Sequence, residues 1–114
     1  EPFPAAICTS VNDVVVHGIP TDDVVLHEGD IISVDCGTLL NGYNGDSAYT
    51  FMVGEVDEAV KQLLEVTKQS LYLGIEQAVP GKHVGDIGAA IQAHCARINR
   101  AWNRKRNARS TSDS

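Results

Sequence analysis

Two aspartates, Asp35 and Asp46, flank an Asn41-Gly42 pair. That dipeptide is a strong signal for a two-residue hairpin, because both central residues of a type I′ turn need positive φ. With Asn41 and Gly42 at the turn, Leu40 faces Tyr43, Asp35 faces Ala48 and Gly37 faces Asp46. Directly opposed residues share a face of the sheet, and so do residues two apart on one strand. Asp35 and Asp46 then become diagonal neighbours, roughly 7–8 Å apart at the backbone. Carboxylates so placed can converge on one divalent cation, or on two cations ~3.5–4 Å apart. A three-residue turn with a bulge would break this parity, and two carboxylates on the wet face of a one-sided sheet are also an ordinary solvated pair. Oxygen ligands alone suit Mg, Mn or Ca, and only added imidazole moves the choice toward Fe, Co or Zn.

The elements that must position these carboxylates are legible in the periodicity. From Asp30 to Leu40, Ile32, Val34, Cys36, Thr38 and Leu40 alternate with Ser33, Asp35 and Gly37, the pattern of a half-buried strand. A second strand follows over Tyr43–Val53, with Ser47, Tyr49, Phe51 and Val53 on the apolar side and Asp46, Ala48 and Thr50 on the other. The aspartate face is small or hydroxylated, and the opposite face is expected to join the core. Upstream, residues 1–17 read as a loop and extended segments, with the β-branched run Val14-Val15-Val16 ended by Gly18 and Pro20. Downstream the period becomes helical: Val60, Leu63, Leu64, Leu71 and Ile75 mark a helix within 57–78. Val79-Pro80-Gly81 stops it, and a second helix begins near Val84 and includes Ile87, Ile91 and Cys95. The predicted class is α/β in the α+β sense: an antiparallel hairpin followed by two helices.

The 114 residues have room for one domain, and 43% hydrophobic with 21% charged residues is ordinary for a globular chain. No run approaches the ~18 apolar residues of a membrane span, so no membrane partner is expected. Low aromatic content (5%) argues against a stacking platform, so nucleic acid is not expected as a partner. The three cysteines, Cys8, Cys36 and Cys95, form no disulfide framework and no C-x-x-C pair. Cys36 and Cys95 read as small buried hydrophobes in a reducing compartment. Charge is divided unevenly. Residues 1–96 hold three basic against fourteen acidic residues, a net of −11, whereas residues 97–114 hold six basic residues and only Asp113, a net of +5. The reading therefore divides the chain into a domain at 1–96 and a divergent basic tail at 97–114 that is expected to be disordered after about Ile98.

Three segments in order resemble the type I methionine aminopeptidases. Phe3 through Pro20, with Cys8 and the run His17-Gly18-Ile19-Pro20, is similar to that family's substrate-pocket segment. Glu28-Gly29-Asp30-Ile31-Ile32-Ser33-Val34-Asp35, followed by Gly42-Tyr43-Asn44-Gly45-Asp46-Ser47, resembles its first metal-binding hairpin. Gln69 to Tyr72 and Val84 to Gln92 resemble the helices that follow. Taken without the flanking match, His17 would read as a histidine packed at a strand end.

The resemblance implies part of a pita-bread fold, in which two related halves enclose a dinuclear metal centre. It implies removal of N-terminal methionine from nascent polypeptides, in the cytoplasm and near the ribosome, with two divalent ions of the Co, Fe, Mn or Zn class. By carry-over, Asp35 is a ligand of the first metal, Asp46 bridges both, His17 contacts the substrate beside the scissile bond, and Phe3 and Cys8 line the methionine pocket. Departures are Asn44, where many members have histidine, and Gly37, where many have threonine. The family's remaining histidine and two glutamate ligands, with its general base, have no counterpart after Cys95, and the helical segment expected before Phe3 is missing too. The expectation is a truncated or frameshifted N-terminal half, inactive alone. Two other readings stay open: a proline-specific peptidase of the same fold, against which His17-Gly18-Ile19-Pro20 argues, and a non-enzymatic binding fragment with a basic tail.

Overall fold

The computed structural model describes residues 2–110, with side chains through Lys105; residues 111–114 of the basic tail lie outside the described residues. It divides into two units, one up to Val60 and one from Lys61 onward.

The first unit is an antiparallel three-stranded sheet in the order β1-β2-β3, formed by β1 (Cys8–Val11), β2 (Ile31–Leu40) and β3 (Tyr43–Met52). Asn41 and Gly42 connect β2 to β3 with φ of 51° and 80°, as a type I′ turn requires. The register follows from it: Leu40 pairs with Tyr43, Gly37 with Asp46 and Asp35 with Ala48. β1 lies on the other side of β2, with Cys8 opposite Asp35 and Ser10 opposite Ser33.

The β-branched run is where pattern and structure part. Val14, Val15 and Val16 are exposed and outside any strand, and the short strand is Cys8–Val11 instead. Two local devices explain the difference. Asn12 takes a left-handed backbone (φ 51°) that ends β1, and its side chain is committed to the start of β2: Nδ2 donates to Asp30 Oδ1 (2.9 Å) and Oδ1 accepts from Ile31 N–H (3.1 Å). Asp30 Oδ2 in turn accepts from His27 N–H at 2.8 Å. The chain therefore leaves β1 at Asn12, and Val14–Val16 have no neighbouring strand to pair with.

The apolar sheet face also departs from expectation. Tyr49 and Phe51 touch, with ring centroids 4.9 Å apart, yet both remain about half exposed (55% and 51%). Among the described residues the buried apolar side chain is Val56, at 7% exposure. Cys36 and Cys95 are likewise half-buried rather than fully buried, and all three cysteines are free thiols.

The second unit holds most of α1 (Glu58–Ile75) and all of α2 (Val84–Ser110). Asp86 caps α2 by accepting His83 N–H at 2.8 Å, while Gly81 (φ 88°) turns the chain between the helices. α1 buries Ser70 and Gly74 rather than its leucines; Leu63, Leu71 and Ile75 are more than half exposed. Gly74 packs closely on α2: a Cβ there would meet Ile91 Cδ1 at 2.9 Å and Ile87 Cγ2 at 3.2 Å, so those side chains would have to shift. His94 is buried on α2, and the Arg97 guanidinium donates to its Nδ1 (3.2 Å), which leaves the ring proton on Nε2.

The helix does not stop where apolar periodicity does. α2 runs past Ile98 through Ser110, a stretch expected to be disordered. Arg, Lys and Ala are strong helix formers, a preference that the loss of apolar periodicity does not register. The division at residue 96 stays a proposal.

Candidate functional site

β2 and β3 set the geometry of the aspartate pair. The register places Gly37 across from Asp46, and Asp35 is two residues from Gly37, so both carboxylates rise from one face as diagonal neighbours. Cys8, paired with Asp35 through β1, shares that face. The next row along is all hydroxyl: Ser10, Ser33 and Thr50 are in register, and Ser33 Oγ lies 2.6 Å from Thr50 Oγ1. Gly37 leaves open space beside Asp46, since a Cβ there would meet only Gly45 O, at 3.9 Å.

Over this face lies an open concavity of about 570 Å³. Its lining includes all five residues singled out in the sequence: Phe3, Cys8, His17, Asp35 and Asp46. Asn44 and Gly37, the two positions where the sequence departs from the usual family pattern, line it as well. Sequence reading missed Ala6, Ile7, Thr38 and Leu39. Leu39 falls on the aspartate face by the same alternation that relates Asp35 to Gly37, so extending that parity along β2 would have found it. A second hollow of about 330 Å³, lined by Val11, Val14, Ile19, Pro20 and Ile32 among others, carries no ionisable side chain and offers no chemistry of this kind.

His17 is exposed and reaches the concavity from outside the sheet. Its backbone is left-handed, φ 58°, which costs a non-glycine residue about 1–3 kcal/mol and persists only where surrounding bonds over-determine it. Thr9 N–H donates to Gly18 O at 2.9 Å, and Gly18 N–H donates to Ser10 Oγ at 3.1 Å. The approach is so close that a Cβ on Gly18 would fall 2.1 Å from Thr9 O.

Among the described residues, neither the Asp35 nor the Asp46 carboxylate accepts a hydrogen bond or pairs with a cation. Two anionic side chains aimed into one concavity and committed to no protein partner fit a divalent cation as the first part of its shell. They do not complete it, for among the described residues no group of three His, Cys, Asp or Glu side chains is placed to hold a metal ion. A hard divalent ion takes about six oxygen ligands, so water or further protein groups must supply the rest.

The geometry is two neighbouring carboxylates on one face of a hairpin, in a mixed α+β chain. The chain belongs to metallopeptidase family M24, whose model matches residues 1–108. Within that family it is 56% identical over 92 residues to the methionine aminopeptidase of Clostridium acetobutylicum, a match covering 81% of this chain and 37% of the relative. The crystal structure of methionine aminopeptidase from Rickettsia prowazekii superposes with a TM-score of 0.81 at 44% identity, covering 85% of this chain and 39% of that one. Prolidase from Pyrococcus furiosus shares the fold alone, with a TM-score of 0.74 at 22% identity over 82% of this chain and 28% of its own. The architecture is thus part of the pita-bread fold. The chain spans little more than a third of the length of the curated relatives it matches. The family match also runs further than the resemblance read from sequence, to residue 108 rather than about residue 96.

Proposed function

We propose that this chain carries the methionine-pocket strand and the first two ligands of a dinuclear metalloaminopeptidase that removes N-terminal methionine from nascent polypeptides. The observation that supports it best is the pairing of Gly37 with Asp46, which aligns Asp46 with Asp35 under the concavity that Phe3, Cys8 and His17 also line. Asp35 and Asp46 supply carboxylate oxygens to two divalent ions of the Co, Fe, Mn or Zn class. When bound, such ions lower the pKa of water and polarise a peptide carbonyl. His17 presents an imidazole at the rim, where a ring nitrogen can hydrogen-bond the scissile amide. Phe3 and Cys8 offer an aromatic ring and a sulfur to an unbranched, polarizable thioether. The setting is cytoplasmic, where new chains emerge from the ribosome, in keeping with described helices that are not long and apolar enough to cross a membrane.

The test is a chimera. Residues 1–96 joined to the remainder of the Clostridium acetobutylicum enzyme should release methionine from a Met-Gly-Ser peptide when Mn²⁺ or Co²⁺ is supplied. Asp46→Ala should abolish that release. A folded chimera that cleaves Xaa-Pro peptides and leaves Met-Gly-Ser intact would replace this reading by the proline-specific one.

A further inference from the structure

His17 holds a backbone conformation that L side chains rarely adopt, and something must keep it there. Two ties join the next residue to β1. The Thr9–Gly18 bond is backbone to backbone; the Gly18–Ser10 bond depends on a single side chain. Ser10 is buried, 5% exposed, and lies on the aspartate face two residues from Cys8. Its Oγ accepts the N–H of the peptide that links His17 to Gly18. Holding that peptide restrains ψ of His17, and the Thr9 bond restrains Gly18 on its other side.

We propose that Ser10 is the positioning residue for His17: its hydroxyl oxygen holds the Gly18 amide and so keeps the imidazole at the rim of the concavity lined by Asp35 and Asp46. The inference deepens the reading of that concavity as a reaction site and rests on it. Without the hydroxyl, Gly18 N–H loses its acceptor in a half-buried position, and the segment relaxes toward negative φ. His17 then leaves the rim while the strands stay paired, because the β1–β2 ladder does not use the Ser10 side chain.

The experiment uses the intact ¹⁵N-labelled chain without added metal, so its outcome does not depend on metal binding or turnover. It compares the unmodified chain with Ser10→Ala and Ser10→Thr. The alanine variant should accelerate Gly18 amide exchange roughly tenfold, the scale of one lost neutral hydrogen bond. It should also move the His17 HN–Hα coupling to that of an ordinary negative φ, with β2 amides changed by less than about twofold. Threonine, which keeps the oxygen, should restore both. Unchanged Gly18 and His17 signals in the alanine variant would overturn the proposal. So would equal loss of protection at Gly18 and along β2, which marks a merely structural serine, or a threonine variant that fails to restore. Should Ser10→Ala leave no folded chain, the unmodified and threonine proteins decide: Gly18 must exchange more slowly than Val15 and Val16 in both, and equal rates overturn it. A chain with this pattern that binds no Mn²⁺ would sink the metal reading alone, and one that binds Mn²⁺ without the pattern would sink the role of Ser10 alone.

Discussion

Asn12 donates from Nδ2 to Asp30 Oδ1 at 2.9 Å across eighteen residues of sequence, locking the end of β1 to the start of β2. That bond, with the His27 N–H on the second oxygen, holds the Asp30 carboxyl below its ordinary value; the nearby His27 ring adds to the effect and partial burial opposes it. A depressed folded-state pKa contributes stability that is complete above the unfolded carboxylate value and is lost as pH falls through the folded one. Asn12→Ala should therefore destabilise the chain most near neutral pH, with a difference from the unmodified protein that shrinks in acid. Urea midpoints at about pH 7 and about pH 2.5 check this, and the part that survives in acid belongs to the neutral Ile31 bond.

Gly42 sits at φ 80° with nothing within 4 Å of where a Cβ would go. Gly42→Ala therefore tests backbone conformation with no steric clash. It should destabilise the hairpin by roughly 1 kcal/mol, the scale of forcing an L residue into the left-handed region. Cross-strand NOEs between residues 37 and 46 should persist if the turn merely weakens. Their replacement by NOEs between 37 and 45 would show that Gly42 also sets the register.

The chain alone should bind divalent ions weakly, with a dissociation constant on the order of 10⁻³ M, because two carboxylates leave the shell open. Calorimetry with Mn²⁺ should lose its signal in Asp35→Asn and in Asp46→Asn. Methionine release from Met-Gly-Ser should be undetectable even with Co²⁺, Mn²⁺ or Fe²⁺ in excess, since the described residues offer no completed metal shell and general acid–base assistance alone is worth ~10²–10⁴ in rate. Turnover abolished by Asp46→Ala, in a preparation free of host enzyme, would show that this part is sufficient.

Within α2, exchange protection should fall sharply past Ile98. Ile87 and Ile91 pack against Gly74 of α1, whereas Asn103, Arg104 and Lys105 are exposed. A helix held by propensity frays on its own. Protection at residues 103–105 matching that at 88–92 would refute the division of the chain near residue 96.

The hairpin was legible because a two-residue type I′ turn leaves no freedom in parity: once Asn41 and Gly42 are placed, every partner from Leu40–Tyr43 to Ile31–Met52 follows. Helix starts were legible from the period change and from Pro80-Gly81. The Asn12–Asp30 and Ser10–Gly18 bonds were not, since side-chain bonds between residues eight to eighteen apart leave no periodic trace. The Asn12 bonds, with its left-handed backbone, end β1 at Val11 and leave Val14–Val16 outside the sheet. Exposure was misread for a related reason. Alternation says which side chains share a face, and it says nothing of whether a second layer covers that face.

The short Asn41-Gly42 link also sets a clock. Hairpins close in roughly 1–10 μs, whereas contacts that span longer loops wait for slower searches. β2 and β3 can zip from their own tip before β1, some twenty residues upstream, has docked. Asp35 and Asp46 therefore meet early, while His17 and Cys8 arrive later with β1. In a chain emerging from synthesis, the carboxylate pair would be assembled first and the groups beside it afterwards.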